Sequence, residues 1–221
     1  MIVNTVVFTR ASLGGDDGDV AIVLGAFGAG SMIVAFVLPR LLEVFPERLV
    51  MAAGAWLTAV LFTVLGVILS NMAVLEGPAS WALLLVGWFL AGIGFSAVLT
   101  PVGRLLRKSV GAPDLPAIFA AQFALTHVCW LVTYPMAGYL GGLLGLPATM
   151  LVMGGVAWCG VGLGYWCWPR NLPGSVEHWH GDLASDHPHL PQGASTGHEG
   201  RMHSHPIVID DLHPRWPSGK D

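Results

Sequence analysis

The sequence predicts an all-α fold: a polytopic bundle of about five complete transmembrane helices, preceded by a remnant helix and followed by a disordered, histidine-rich tail. Three observations predict it. Only 11% of the 221 residues are charged and 54% are hydrophobic, far from the roughly 25% charge of a soluble globular domain. Four long stretches, 20–39, 49–75, 77–103 and 115–169, carry no Lys, Arg, Asp or Glu. Beyond them lies a polar segment that holds eight of the nine histidines. The chain therefore divides into a membrane domain, 1–170, and a tail, 171–221.

A bilayer core about 30 Å thick takes about 20 helical residues to cross. The first three uncharged stretches are one span each, which places helices at 20–38, 49–70 and 81–99. The fourth is too long for one crossing, and Gly141, Gly142, Gly145 and Pro147 supply a turn near its middle. It is read as two spans, 118–140 and 148–168. Soluble helices need a polar face, and these runs have none. Met1 to Thr9 is apolar but too short to span, and it lacks the basic start and long apolar core of a secretory signal. It reads as the end of a helix whose beginning is missing, as in a fragment or a start site placed too late.

Short cytoplasmic loops are enriched in Lys and Arg. Arg40 and Arg48 follow the first span, Arg104, Arg107 and Lys108 follow the third, and Arg170 opens the tail; on the other side stands Arg10 among Asp16, Asp17 and Asp19, then Glu76. The tail is thus expected in the cytoplasm. The basic residues are topology anchors on this reading, and Glu43, Glu47 and Asp114 are available to pair with them in one conformation. The net charge of −4 comes with no extended basic patch, so nucleic acid is not an expected partner. Cys129, Cys159 and Cys167 fall in predicted spans without a CxxC pair and are read as small apolar packing residues.

Polar side chains in the spans are few. His127 is the one histidine outside the tail, and an ionisable residue inside a membrane is a functional candidate. Gln122, Thr126 and Thr133 share one helical face with His127 and Tyr134 on the neighbouring strip. This polar side should face a cavity or another helix, because lipid cannot hydrogen-bond it. Asn4 and Thr5 on the remnant helix are candidates for the same cavity. Pro135 beside Gly138 should loosen this helix, and Gly25, Gly28 and Gly30 should permit close helix contact.

The tail carries three HxH pairs, His178 and His180, His187 and His189, and His203 and His205, with His198 and His213 besides. In an extended chain alternate side chains point the same way, so each pair offers two imidazoles to one ion. Imidazole suits nickel, copper and zinc, and Glu177, Asp182, Asp186, Asp210 and Asp211 could complete a shell, so the tail is expected to bind nickel, cobalt or zinc. The tail has no HExxH and no Cys, so a closed structural zinc site or a hydrolytic centre is not expected. Its prolines and glycines predict an open segment.

Several motifs resemble a known family. The segment GAFGAGS at 25–31, the basic loop LPRLLEVFPERLVMAAG and TPVGRLLRKS at 100–109 resemble the carboxy-terminal six-helix half of a major facilitator superfamily transporter. VNTVVFTR at 3–10 would be the remains of its first helix. AIFAAQFALTHVCWLVTYPMAGYLGG at 117–142 and the tail ending HPIVIDDLHPRWP are similar to a bacterial branch of nickel-resistance or metal-efflux permeases. The resemblance implies a secondary transporter of the inner membrane rather than an enzyme, with the substrate held between two such halves. It implies proton-coupled efflux of nickel or cobalt and a partnership with an amino-terminal six-helix half. Efflux of a small organic compound, or a non-transporting half whose tail buffers metal, remain open alternatives. A haem site is disfavoured because two-histidine ligation would need a second histidine in the spans.

Overall fold

The computed structural model describes residues 2–71, 78–168, 176–180, 195–197 and 200–205. Its contacts divide the chain into two units, Met1–Leu105 with Ile118–Trp168 and Leu106–Ala117 with Pro169–Asp221. The first unit is helical. α1 (Ile2–Val7) runs into a π-helical turn, Phe8–Ser12, and is followed by α2 (Asp17–Val44), α3 (Glu47–Asn71), α4 (Pro78–Leu99), α5 (Val102–Ser109) and α6 (Leu115–Cys167). Four helical stretches among the described residues are long and apolar enough to cross a membrane. The last is two helices in one, because Gly145 departs from helical geometry with φ 75° and ψ 171°. Its limbs, 115–144 and 146–167, correspond to the fourth and fifth predicted spans.

The helices outrun the uncharged stretches that predict them. α2 starts at Asp17 because Asp16 caps it: the Asp16 carboxylate accepts from the Asp19 N–H at 3.0 Å and the Asp19 carboxylate returns the bond at 3.0 Å. This reciprocal cap places negative charge where the helix dipole favours it. At its other end α2 continues through Pro39 and Arg40 to Val44. It stops at Phe45, which is extended at φ −115° and ψ 141° because the following Pro46 disfavours helical geometry there. Hydropathy marks the bilayer crossing, whereas the hydrogen-bonded helix extends into the interface. Likewise Arg104, Arg107 and Lys108, expected in a loop, lie on α5. Within the expected four-residue turn only Gly145 breaks the helix; Gly141, Gly142 and Pro147 remain helical. Pro135 causes no comparable break.

α4 is the centre of the bundle, with Leu84, Trp88, Ala91 and Ala97 buried along its length. It crosses α2 where Gly92 meets the Phe27 backbone and Gly30 meets the Phe89 backbone. A Cβ at either glycine would fall on the facing carbonyl oxygen. It crosses α3 at a second glycine pair, where a Cβ on Gly54 would stand 2.8 Å from the Gly94 carbonyl oxygen and one on Gly94 would collide with the Thr58 hydroxyl. Small residues let membrane helices approach closely enough for dispersion to hold them. Of the three glycines expected to do this in α2, Gly30 does; Gly25 and Gly28 have no neighbour within 4 Å. The second limb of α6 docks on α3 where Gly66 faces Leu151 and Gly154 faces Thr63. There the Trp158 Nε1 donates to the Thr63 hydroxyl at 3.1 Å. Cys129, Cys159 and Cys167 are exposed and so do not fill the core as expected; a thiol is apolar enough to face outward at little cost.

In the second unit, β1 (Val176–His180), β2 (Ser195–Gly197) and β3 (Gly200–His205) form an antiparallel sheet in the order β1-β3-β2. The expectation of an open tail is corrected for these three segments, whose backbone groups pair with one another. The remaining tail residues lie outside the described residues.

The glycine crossings generate a test. Gly30→Val or Gly92→Val should destabilise the bundle by about 3 kcal/mol, the upper range of overpacking, whereas Gly25→Ala should change stability by less than about 1 kcal/mol, in the direction of helix propensity. Denaturant-induced unfolding in detergent, followed by loss of helical circular dichroism, measures both.

Candidate functional site

The polar side predicted on the fourth span lies on the first limb of α6. Gln122, Thr126 and His127 line a groove of about 310 Å³, completed by Phe119, Phe123 and Trp130 from the same limb and by Leu99, Val102 and Gly103 from the end of α4 and the start of α5. Each polar side chain satisfies itself locally, as a helix in lipid requires. The Gln122 amide donates to the Thr126 hydroxyl at 3.0 Å, and that hydroxyl donates to the Gln122 carbonyl oxygen at 2.9 Å. His127 Nδ1 lies 2.8 Å from the Phe123 carbonyl oxygen. A carbonyl only accepts, so Nδ1 is the donor and is committed to the helix backbone, which leaves Nε2 free of that bond. His127 is exposed within this chain, and its Nε2 is the nitrogen chemically able to take a proton or a metal ion.

Aromatic rings flank that imidazole. Its centroid is 3.8 Å from the Phe123 ring and 4.8 Å from the Trp130 ring, and Trp130 in turn stacks on Tyr134 at 5.9 Å. Sequence reasoning singled out His127 and Tyr134 but missed Phe123 and Trp130. The signal was present in the spacing of 123, 127, 130 and 134, one stripe of a helix. Thr133 bonds the Cys129 carbonyl oxygen at 2.8 Å and is not part of the groove.

Asn4 and Thr5 are also buried, but elsewhere. The Asn4 amide donates to the Ala137 carbonyl oxygen at 3.1 Å, so it fastens α1 to the first limb of α6. The Thr5 hydroxyl accepts from Trp88 Nε1 at 2.8 Å, while Phe8 stacks over the Trp88 ring at 6.4 Å. α1 is thus held by two helices through polar bonds. Thr9, in the π-helical turn, is fully buried with its hydroxyl unpartnered among the described residues.

At the end of the bundle that carries the basic anchors, Arg104 Nε meets Glu47 Oε1 at 3.0 Å. This joins α5 to the first turn of α3. Next along the chain, Arg48 lies over the Tyr165 ring at 6.0 Å, joining α3 to the second limb of α6. Arg40, Arg107 and Lys108 are exposed. At the opposite end Arg10 pairs with Asp17. Glu76 and Arg170 lie outside the described residues.

Among the described residues of the membrane bundle, no group of three or more His, Cys, Asp or Glu gathers into a metal cluster. In the tail, the backbone of His178 and His180 belongs to β1 and that of His203 and His205 to β3. His187, His189, His198 and His213 lie outside the described residues, as do Asp182, Asp186, Asp210 and Asp211.

Long uncharged helices packed through glycines, with polar side chains bonded to their own helix, define a multi-pass membrane protein. The chain belongs to the major facilitator superfamily: the family model of that description matches residues 1–192. It therefore carries a secondary-transporter domain, whose environment is the lipid bilayer and whose business is a transported substrate. No curated protein and no solved structure matches the chain.

A double-mutant cycle of Glu47→Gln with Arg104→Gln should give a coupling below about 1 kcal/mol in unfolding, because Arg104 is half exposed and solvent screens the pair. A larger effect of the same variants on transport rate than on unfolding would mark the pair as a conformational contact.

Proposed function

We propose that this chain is the carboxy-terminal half of a proton-coupled transporter that exports a divalent metal cation, nickel or cobalt foremost, across a bacterial cytoplasmic membrane. The observation that carries this reading is the attachment of eight histidines, six of them in HxH pairs, to a secondary-transporter domain. Imidazole is a preferred ligand of nickel, cobalt and zinc, and the likeness of 117–142 and the tail to nickel-resistance permeases points the same way. The six-to-one excess of basic residues on the side of the tail supports a cytoplasmic carboxy terminus. There the tail collects metal near the inner mouth of the pathway without being the transport site itself. An amino-terminal six-helix half, in the same polypeptide or a second one, supplies the other wall of the pathway.

His127 is the proposed proton-exchanging residue, with Gln122 and Thr126 beside it. Tyr134, Thr133 and Asn4 line or support the same helix. One observation favours a second reading, efflux of a small organic compound. The groove around His127 is walled by Phe119, Phe123, Trp130 and Leu99, and the uncharged stretches contain no carboxylate to hold a divalent ion.

Co-expression with its amino-terminal half in a nickel-sensitive bacterium should lower cell-associated nickel or cobalt severalfold, and His127→Gln should flatten the dependence of that export on external pH. Unchanged metal content combined with lowered accumulation of an aromatic dye would select the organic substrate. A periplasm-dependent reporter fused after Asp221 should stay inactive if the tail is cytoplasmic. Metal binding by the tail should be full above neutral pH and weaken as pH falls through about 6.5, since a protonated imidazole cannot ligate. Calorimetric titration with nickel at several pH values checks the sign.

A further inference from the structure

The helix that follows the α4 crossing is two-sided. α4 ends at Leu99, Thr100 and Pro101 form a turn, and α5 runs from Val102 to Ser109. At about 100° per residue, Val102, Leu105, Leu106 and Ser109 fall within about 100° of one another, and Arg104, Arg107 and Lys108 fill an equal arc on the opposite side. Exposure follows the same division: the first four are partly buried and the three basic residues are exposed. α5 itself carries no Asp or Glu, and the carboxylate that meets Arg104 comes from Glu47 on α3.

A second feature marks this end of the bundle as the one that meets lipid headgroups. Glu47 and Arg48 open α3, so Arg104 on α5 and Tyr165 on α6 both meet that first turn. Tyr165 is 61% exposed and its neighbour Trp166 82%. Exposed Tyr and Trp gather where hydrocarbon gives way to headgroups, because their rings are apolar at one end and polar at the other. A short helix with an apolar stripe and a cationic face is stable at that same depth. Charge then selects the occupant. A zwitterionic headgroup carries an ammonium that offsets its phosphate, whereas an anionic headgroup such as phosphatidylglycerol keeps its net negative charge. Each Lys or Arg held near an anionic leaflet strengthens binding by about fivefold, and salt screens the gain.

We propose that the basic face of α5, formed by Arg104, Arg107 and Lys108, is a docking surface for anionic phospholipid headgroups. The position of α5 gives that contact a consequence. Val102 and Gly103 in its first turn border the groove around His127, and Arg104 ties the helix to α3 through Glu47. A headgroup bound to the outer face therefore steadies the wall of the groove from the membrane side. The surface stands whatever the groove transports and whether or not the tail holds metal.

The test immobilises the full chain in detergent, titrates it with phosphatidylglycerol or phosphatidylcholine, and counts the retained lipid by mass spectrometry. The wild-type chain should half-saturate at a concentration of phosphatidylglycerol about tenfold or more below that of phosphatidylcholine, and about 1 M salt should erase the difference. Arg107→Gln and Lys108→Gln should each raise the half-saturating phosphatidylglycerol concentration about fivefold and leave phosphatidylcholine unchanged. Arg107→Lys should behave as wild type, since charge is what the surface reads, and so should Arg10→Gln at the opposite end of the bundle. Unchanged helical circular dichroism keeps these comparisons on a folded chain. Equal affinity of the wild-type chain for the two lipids, or an undiminished preference after Arg107→Gln with Lys108→Gln, would overturn the proposal. Inorganic phosphate that displaces phosphatidylglycerol better than chloride at matched ionic strength would show a site for a free anion, and would overturn it as well.

Discussion

The bundle depends on how closely α4 can approach the backbones on either side of it. Lipid tails are as apolar as leucine, so burying side chains against one another gains little in a membrane, and helix association rests on dispersion between surfaces that fit. At Gly30 with Gly92 and at Gly54 with Gly94 the fit reaches the main chain itself. These contacts set the positions of α2 and α3 on α4. Trp88 lies in the core between them, where its indole N–H finds the hydroxyl of Thr5. Its large apolar surface and single polar bond suit a site at which three helices meet.

The same solvent dictates the fate of the polar side chains. Thr58, Thr63, Ser70, Thr126, Thr133 and Thr149 each donate to the carbonyl four residues earlier, so none presents an unsatisfied hydroxyl to hydrocarbon. Where a polar group does more than this, it joins elements. Thr63 also receives Trp158, and Asn4 reaches Ala137. The groove around His127 follows the same economy, because Nδ1 is occupied by the backbone and the chemistry is left to Nε2.

Much of the fold was legible because absence of charge over about 20 residues has one physical meaning, a crossing. The helix ends were not, since Arg40 and Glu43 at the end of α2 are compatible with a helix in the interface and hydropathy does not register it. Nor could sequence separate Gly30 from Gly25 and Gly28: all three allow close approach, and only the position of Gly92 decides which one is used. Helical periodicity placed Gln122, Thr126 and His127 together, and they do border one groove. It gave no weight to Phe123 and Trp130, because aromatic residues are ordinary on a lipid-facing surface. In the tail the alternation of histidines was visible, but the register that brings His178 to His203 depends on long-range pairing that no local pattern encodes.

Glu47 and Arg48 are neighbours in the first turn of α3, yet they reach about 100° apart around its axis. One takes hold of Arg104 on α5 and the other of Tyr165 on the second limb of α6. Two lines of tension from adjacent points on a cylinder resist torque as well as translation. Rolling α3 about its long axis would lengthen at least one of these contacts, so together they favour one orientation of its end, by an amount set by two screened surface contacts.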